Sequence, residues 1–134
     1  MIIDANVAVY WAVPGPHAER AASIMGRENL AAPGIIMAEA ANALVNHVRA
    51  GSISHTQIGP MISTIRQAID TLVFDADLVP DALALAIAHN HKMYDCLYLA
   101  LALARREPLA TADRRLAALA SKLSIETELI EPAL

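Results

Sequence analysis

Five short apolar runs alternate with segments of helical periodicity, and this alternation constrains the fold more than any other feature. The runs are Met1 to Ile3, "NLAAP" at 29–33, "TLVF" at 71–74, "PLAT" at 108–111 and "TELIE" at 127–131. Each is too short for a helix and reads as a strand. Between them the pattern predicts helices over about His17 to Met25, Ile35 to Arg49, Leu78 to His89, Tyr94 to Arg106 and Arg114 to Ser121. Ser54 with Gln57 resembles a capping box opening a further helix to about Ile69. Pro14-Gly15-Pro16 breaks the chain early, Gly26 and Gly51 stop two helices, and Asp4-Ala5-Asn6 reads as a turn before Val7 to Trp11. Strands alternating with helices imply an α/β class with a mostly parallel sheet covered on both faces.

At 134 residues without repeats, low-complexity tracts or linkers, the chain is expected to form one domain spanning 1–134. Folding at this size buries roughly two-thirds of the surface of the unfolded chain. Aromatic residues make up only 4%, so Ala, Leu, Ile and Val must supply most of the core. The net charge of −4 argues against a domain that holds nucleic acid by a general basic surface. A local patch is still available, because five of the ten Lys and Arg residues fall between Arg105 and Lys122. The single cysteine, Cys96, has no intrachain partner, and the opening "MIID" lacks the features of a signal peptide, so a cytoplasmic location is expected. No run approaches the ~18 apolar residues of a membrane span.

Four of the fourteen acids stand out by their surroundings. Asp4 in "MIIDANV", Glu39 in "IIMAEAAN", Asp95 in "KMYDCLYLAL" and Asp113 in "PLATADRR" each sit among apolar residues. Asp4 and Asp113 each follow a predicted strand directly. In parallel sheets, ligands bind outside the carboxyl ends of the strands, so both carboxylates are expected on one edge. Two like charges 4 Å apart repel by roughly 4 kcal/mol at an effective dielectric of 20. Four acids in one cleft therefore call for a cation, and Mg²⁺ or Mn²⁺ suits oxygen ligands while keeping waters for exchange. Such an ion activates water and neutralises charge on a phosphoryl oxygen, which is the chemistry of phosphodiester hydrolysis.

Each residue also has a plainer reading. Thr111 or Asp113 suits the cap of the last long helix. Asp95 suits a first helical turn through the dipole, and Asp4 a turn with Asn6. Glu39 shares a polar stripe with Asn42 and Asn46, and a buried mid-helix acid needs a partner such as Arg49 or a neighbouring helix. Arg114 and Arg115 read either as guides for an RNA backbone or as solvated first-turn residues. His89 and His91 suit a helix end, and Cys96 a small core position. Tyr10, Trp11 and Tyr94 read as packing residues, with base stacking the alternative for Tyr94.

Taken together, "MIIDANV", the Glu39 helix with Asn42, "YDCLYLALA" and "PLATADRRL" occur in the order and at about the spacing seen in PIN-domain proteins. The chain most closely resembles the VapC-type toxins of type II toxin–antitoxin modules, from Ile2 to about Leu129. The resemblance implies a three-layer α/β/α domain and a metal-dependent endoribonuclease using Mg²⁺ or Mn²⁺. It places the metal and catalytic roles on Asp4, Glu39, Asp95 and Asp113, with Asn6 and Thr111 in support. No acid of the family's set is missing, so catalytic competence is expected. Family substrates tend to be structured RNAs cut in exposed single-stranded loops. The implied partners are a second copy in a homodimer and a VapB-type antitoxin whose C-terminal segment lies across the acidic cleft.

Three rival readings belong to other classes. A haloacid-dehalogenase-like phosphatase also has an acid after its first strand, but its Asp-x-Asp start requires an acid where this chain has Asn6. A catalytically silent PIN-like module that binds RNA or protein is the stronger rival. A phospho-acceptor receiver domain lacks its matching lysine after the fifth strand.

Overall fold

The computed structural model describes residues 1–133. Its elements run β1 (Ile2–Ile3), α1 (Ala5–Ala12), α2 (Ala18–Ala22), β2 (Ala31–Pro33), α3 (Ile36–Arg49), α4 (Ile58–Ala68), β3 (Thr71–Val73), α5 (Asp75–His89), α6 (Met93–Arg105), β4 (Leu109–Thr111), α7 (Arg114–Lys122) and β5 (Thr127–Leu129). The five strands form one sheet in the order β3-β2-β1-β4-β5, and every pairing is parallel. All five predicted strands are present. The structure has the α/β/α arrangement, because helices cover both faces of a sheet whose central strands are fully buried.

The topology decides where a ligand can bind. From β1 the chain moves to β2 and β3 on one side of the sheet, then crosses to β4 and β5 on the other. The segments leaving β1 and β4 therefore diverge, and a crevice opens at their carboxyl ends. Ile2 pairs with Leu109 and Ile3 with Ala110, so Asp4 and Thr111 emerge side by side. The Asp4 amide continues the ladder, donating to the Ala110 carbonyl at 3.0 Å.

Helix α6 lies in the core. Cys96 through Ala102 are buried without interruption, as expected of a helix that is apolar on all sides. It packs on α5, β1, β2 and β4, which fixes its N-terminal turn, with Asp95, against the crevice. Cys96 and Trp11 pack as expected: Cys96 is fully buried, and the Trp11 indole donates to the Ala21 carbonyl at 2.8 Å.

Several boundaries differ from the sequence reading. Asp4-Ala5-Asn6 is not a turn, because α1 begins at Ala5 directly after β1. The helix expected over His17 to Met25 contracts to Ala18–Ala22, and Gly26 follows with φ of 95°. Helix α5 starts at Asp75 rather than Leu78 and carries Pro80 inside it. Gly51 ends α3 as expected, with φ of 80° in the left-handed region that glycine adopts freely. The Ser54–Gln57 capping box is present, with Gln57 Oε1 accepting from the Ser54 amide at 2.7 Å. It opens one 3-10 turn, His55–Gln57, that leads into α4.

Candidate metal centre

The four acids singled out from the sequence come together. Asp4, Glu39, Asp95 and Asp113 line one cleft of about 320 Å³, together with Asn6, Tyr10 and His47. They arrive from four separate places: the end of β1, the first turn of α3, the first turn of α6 and the turn after β4. Among the described residues, no Lys or Arg side chain lines this cleft.

Thr111 ties two of the acids to each other. Its hydroxyl donates to Asp4 Oδ2 at 2.7 Å, and the same oxygen accepts from the Asp113 amide at 3.0 Å. Asn6 pins the neighbouring backbone, its Oδ1 accepting from the Ala112 amide at 3.0 Å. Asp113 combines the two readings of its sequence context. Its Oδ1 caps α7 by accepting from the Arg115 and Leu116 amides at 2.8 and 3.2 Å, while its side chain also lines the cleft.

The remaining two acids are held by residues the sequence did not flag for the purpose. Glu39 Oε1 accepts from the Tyr98 hydroxyl at 2.7 Å. Tyr98 is fully buried and stands three residues after Asp95, on the same face of α6. It supplies the partner that a half-buried Glu39 requires. Asp95 Oδ2 lies 2.9 Å from His91 Nε2, in an i,i+4 pair whose histidine side chain is 5% exposed. His91 stands at the end of α5 as expected, its amide donating to the Ala86 carbonyl at 3.2 Å, and makes this contact in addition. The only signals available in sequence were the i+3 spacing of Tyr98 and the i+4 spacing of Asp95 from His91.

Other expectations shift outward. Arg114 and Arg115 are exposed and neither lines the cleft; Arg114 reaches toward Glu131 at 3.8 Å. Asn42 and Asn46 face solvent, and the α3 residues that share the cleft with Glu39 are Ala43 and His47. Tyr94 is 61% exposed on the first turn of α6, so it does not pack in the core.

Burial, more than the neighbouring charges, raises the proton affinity of two of the acids, Asp4 and Glu39. Burial pushes the Asp4 carboxyl up from 3.8 to about 7; the Thr111 hydrogen bond opposes the rise, and the nearby charges of Asp95 and Glu39 add to it. Burial also raises Glu39, against the Tyr98 hydrogen bond and with the help of Asp95 and Asp75. Burial raises the Tyr98 phenol, reinforced by Asp4 and Glu39, so it stays protonated and serves as a donor.

This chemistry fits a hard divalent cation. The cleft offers four carboxylates as hard oxygen donors, and among the described residues no Lys or Arg lines it. Among the described residues, no group of three or more His, Cys, Asp or Glu side chains is poised together to hold a metal ion. Mg²⁺ needs fewer protein ligands than that, since one or two carboxylates hold it while waters and substrate phosphates complete its shell.

Comparison with known proteins finds relatives of this chain and of its fold. The chain is 29% identical to Ribonuclease VapC3 of Pyrobaculum aerophilum over 120 residues, covering 87% of this chain and 92% of that relative. The crystal structure of PAE2754 from Pyrobaculum aerophilum superposes with a TM-score of 0.70 at 25% identity, over 87% of this chain and 76% of that one. The fold is shared with Mycobacterium tuberculosis VapC20, a sarcin-ricin-loop-cleaving toxin, with a TM-score of 0.70 at 12% identity over 88% of this chain and 93% of that one. It is also shared with a toxin–antitoxin complex from Klebsiella pneumoniae, with a TM-score of 0.59 at 19% identity over 87% and 89%. Residues 1–122 match the PIN domain family, and the chain belongs to that family.

Proposed function

We propose that the chain is an endoribonuclease that hydrolyses RNA phosphodiester bonds with Mg²⁺ or Mn²⁺, and that it is the toxin of a toxin–antitoxin pair. One observation carries this reading: four acids from distant parts of the chain line a cleft that, among the described residues, holds no Lys or Arg. Family membership and the likeness to a VapC ribonuclease support it.

In this reading Asp4, Asp95 and Asp113 hold the ion directly or through water, and Glu39 completes or orients the shell. A bound divalent ion supplies an activated water and neutralises charge on the phosphate. Thr111 orients the Asp4 carboxylate by donating to Oδ2, so that Asp4 would be held in place to bind the ion. Tyr98 and His91 fix Glu39 and Asp95, because outer partners of this kind set the orientation of ligating groups. Asn6 keeps the turn before Asp113 in place. Arg114 and Arg115, exposed beside Asp113, meet the RNA backbone outside the cleft.

The partners follow from charge and exposure. A VapB-type antitoxin that presents a basic side chain to the acidic cleft neutralises the toxin. Val79, Leu83 and Ile87 form an exposed i, i+4, i+8 stripe on α5, and this surface supports a homodimer. Among the described residues, no helix is long and apolar enough to cross a membrane. We read residues 1–134 as one domain acting in the cytoplasm.

The test is incubation of the purified, partner-free protein with structured RNAs in Mg²⁺ or Mn²⁺, with EDTA as control. Cleavage that EDTA abolishes is the expected result. RNA binding without cleavage under any metal would replace the nuclease with a silent binding module.

A further inference from the structure

We propose that the part of the cleft at Tyr10 and His47 is a nucleobase subsite for the nucleotide next to the scissile phosphate. This deepens the ribonuclease reading and rests on it. Besides its four acids, the cleft is lined by Val9, Tyr10, Ala43 and His47, none of which carries a carboxylate. Glu39, Ala43 and His47 stand at i, i+4 and i+8 on α3, so a single helix face leads from Glu39 to His47.

The two sets of residues also differ in their hydrogen bonds. The acids have partners in Thr111, Tyr98, His91 and the α7 backbone. No side-chain hydrogen bond among the described residues involves Tyr10 or His47, and both are only partly buried. Tyr10 is braced from elsewhere: its ring stacks on His17 with centroids 4.5 Å apart and planes within 8°. The small side chain of Ala43 leaves width between α1 and α3. A volume of about 320 Å³ lies at the lower end of small-ligand sites.

The occupant is a flat group with apolar faces and a polar edge, joined to a phosphate that lies at the acids. A nucleobase has this chemistry. Its face packs on Tyr10 and Val9, and its edge exchanges hydrogen bonds with the His47 ring. The subsite thus selects which nucleotide sits beside the cut.

Two measurements on the whole chain test this. Adenosine, cytidine, guanosine and uridine 5′-monophosphates are titrated in with Mg²⁺ while the Tyr10 and His47 ring signals are followed by NMR. Wild type, His47→Ala, His47→Gln and Tyr10→Leu are also compared on the same RNA for KM, kcat and cut positions. The expected results are ring shifts that saturate with at least one nucleotide, and a KM raised about tenfold in His47→Ala with kcat within about twofold. Cut positions should also change in His47→Ala, and His47→Gln covers the case in which Tyr10→Leu fails to fold. Unmoved rings with all four nucleotides overturn the proposal, as do unchanged KM and cut positions in His47→Ala and His47→Gln. If the wild type cuts no RNA, the nuclease reading fails, and the ring shifts alone still decide the subsite.

Discussion

Thr111 and Asp4, 107 positions apart in sequence, share a 2.7 Å hydrogen bond that joins the carboxyl ends of β1 and β4. The register that pairs Ile3 with Ala110 makes this contact possible, since the next residue on each strand stands beside its neighbour. The same hydroxyl accepts the Asp113 amide, so one buried side chain sets the positions of two acids.

Thr111→Val removes that donor and acceptor while keeping the shape. With Asp4 and the Asp113 amide both losing a partner, the variant should be destabilised by about 1–3 kcal/mol. RNA cleavage should fall by about tenfold or more. Urea unfolding and cleavage rates measured in parallel check both effects, and Thr111→Ser should restore them.

The pH dependence follows from Asp4. Its carboxyl sits at about 7 in the folded protein against an ordinary 3.8, so between these values the folded state holds a proton that the unfolded chain has released. Stability linked to Asp4 therefore falls as pH rises from about 4 to about 7 and is level above that. The metal-free wild type should lose stability relative to Asp4→Asn across this interval, as measured by urea unfolding at about pH 5 and about pH 8. Mn²⁺ competes with the proton, so it should raise Tm more at the higher pH.

Asp113 caps α7 and also lines the cleft, and substitution separates the cap from the proposed catalytic role. Asparagine is as good a helix N-cap as aspartate, so Asp113→Asn should keep stability and lose cleavage. Asp113→Ala should lose cleavage and also about 1 kcal/mol of stability through the cap. Thermal melts alongside cleavage assays distinguish the two variants.

Tyr98→Phe and His91→Ala leave the four acids in place but remove the groups that hold Glu39 and Asp95. Each should weaken Mn²⁺ binding by about tenfold, as read by calorimetry. Equal affinity in both variants and the wild type would show that these contacts serve packing alone.

The parts of the fold and site that were legible in sequence depended on local signals. Strand ends followed by an acid located Asp4 and Asp113, and apolar surroundings marked Glu39 and Asp95. The Ser54–Gln57 box and Gly51 gave correct boundaries because capping is decided within a few residues. What escaped depends on tertiary packing. A tyrosine in an apolar helix reads as core, and only the crossing of α6 over the sheet brings the Tyr98 hydroxyl to Glu39. On α3, the Asn42–Asn46 and Ala43–His47 lines lie side by side, and the packing of α1 decides which one faces the cleft. The expected helix over Leu78 to His89 starts too late, because α5 begins at Asp75 and runs through Pro80.

The most direct test of the central claim is Mn²⁺ binding, followed by electron paramagnetic resonance, in the wild type and in Asp4→Asn, Glu39→Gln, Asp95→Asn and Asp113→Asn. A shared metal centre predicts that the wild type binds Mn²⁺ and that each variant binds it about tenfold or more weakly, with RNA cleavage lost in step. Wild-type Mn²⁺ affinity in all four variants, or no binding by the wild type, would contradict it.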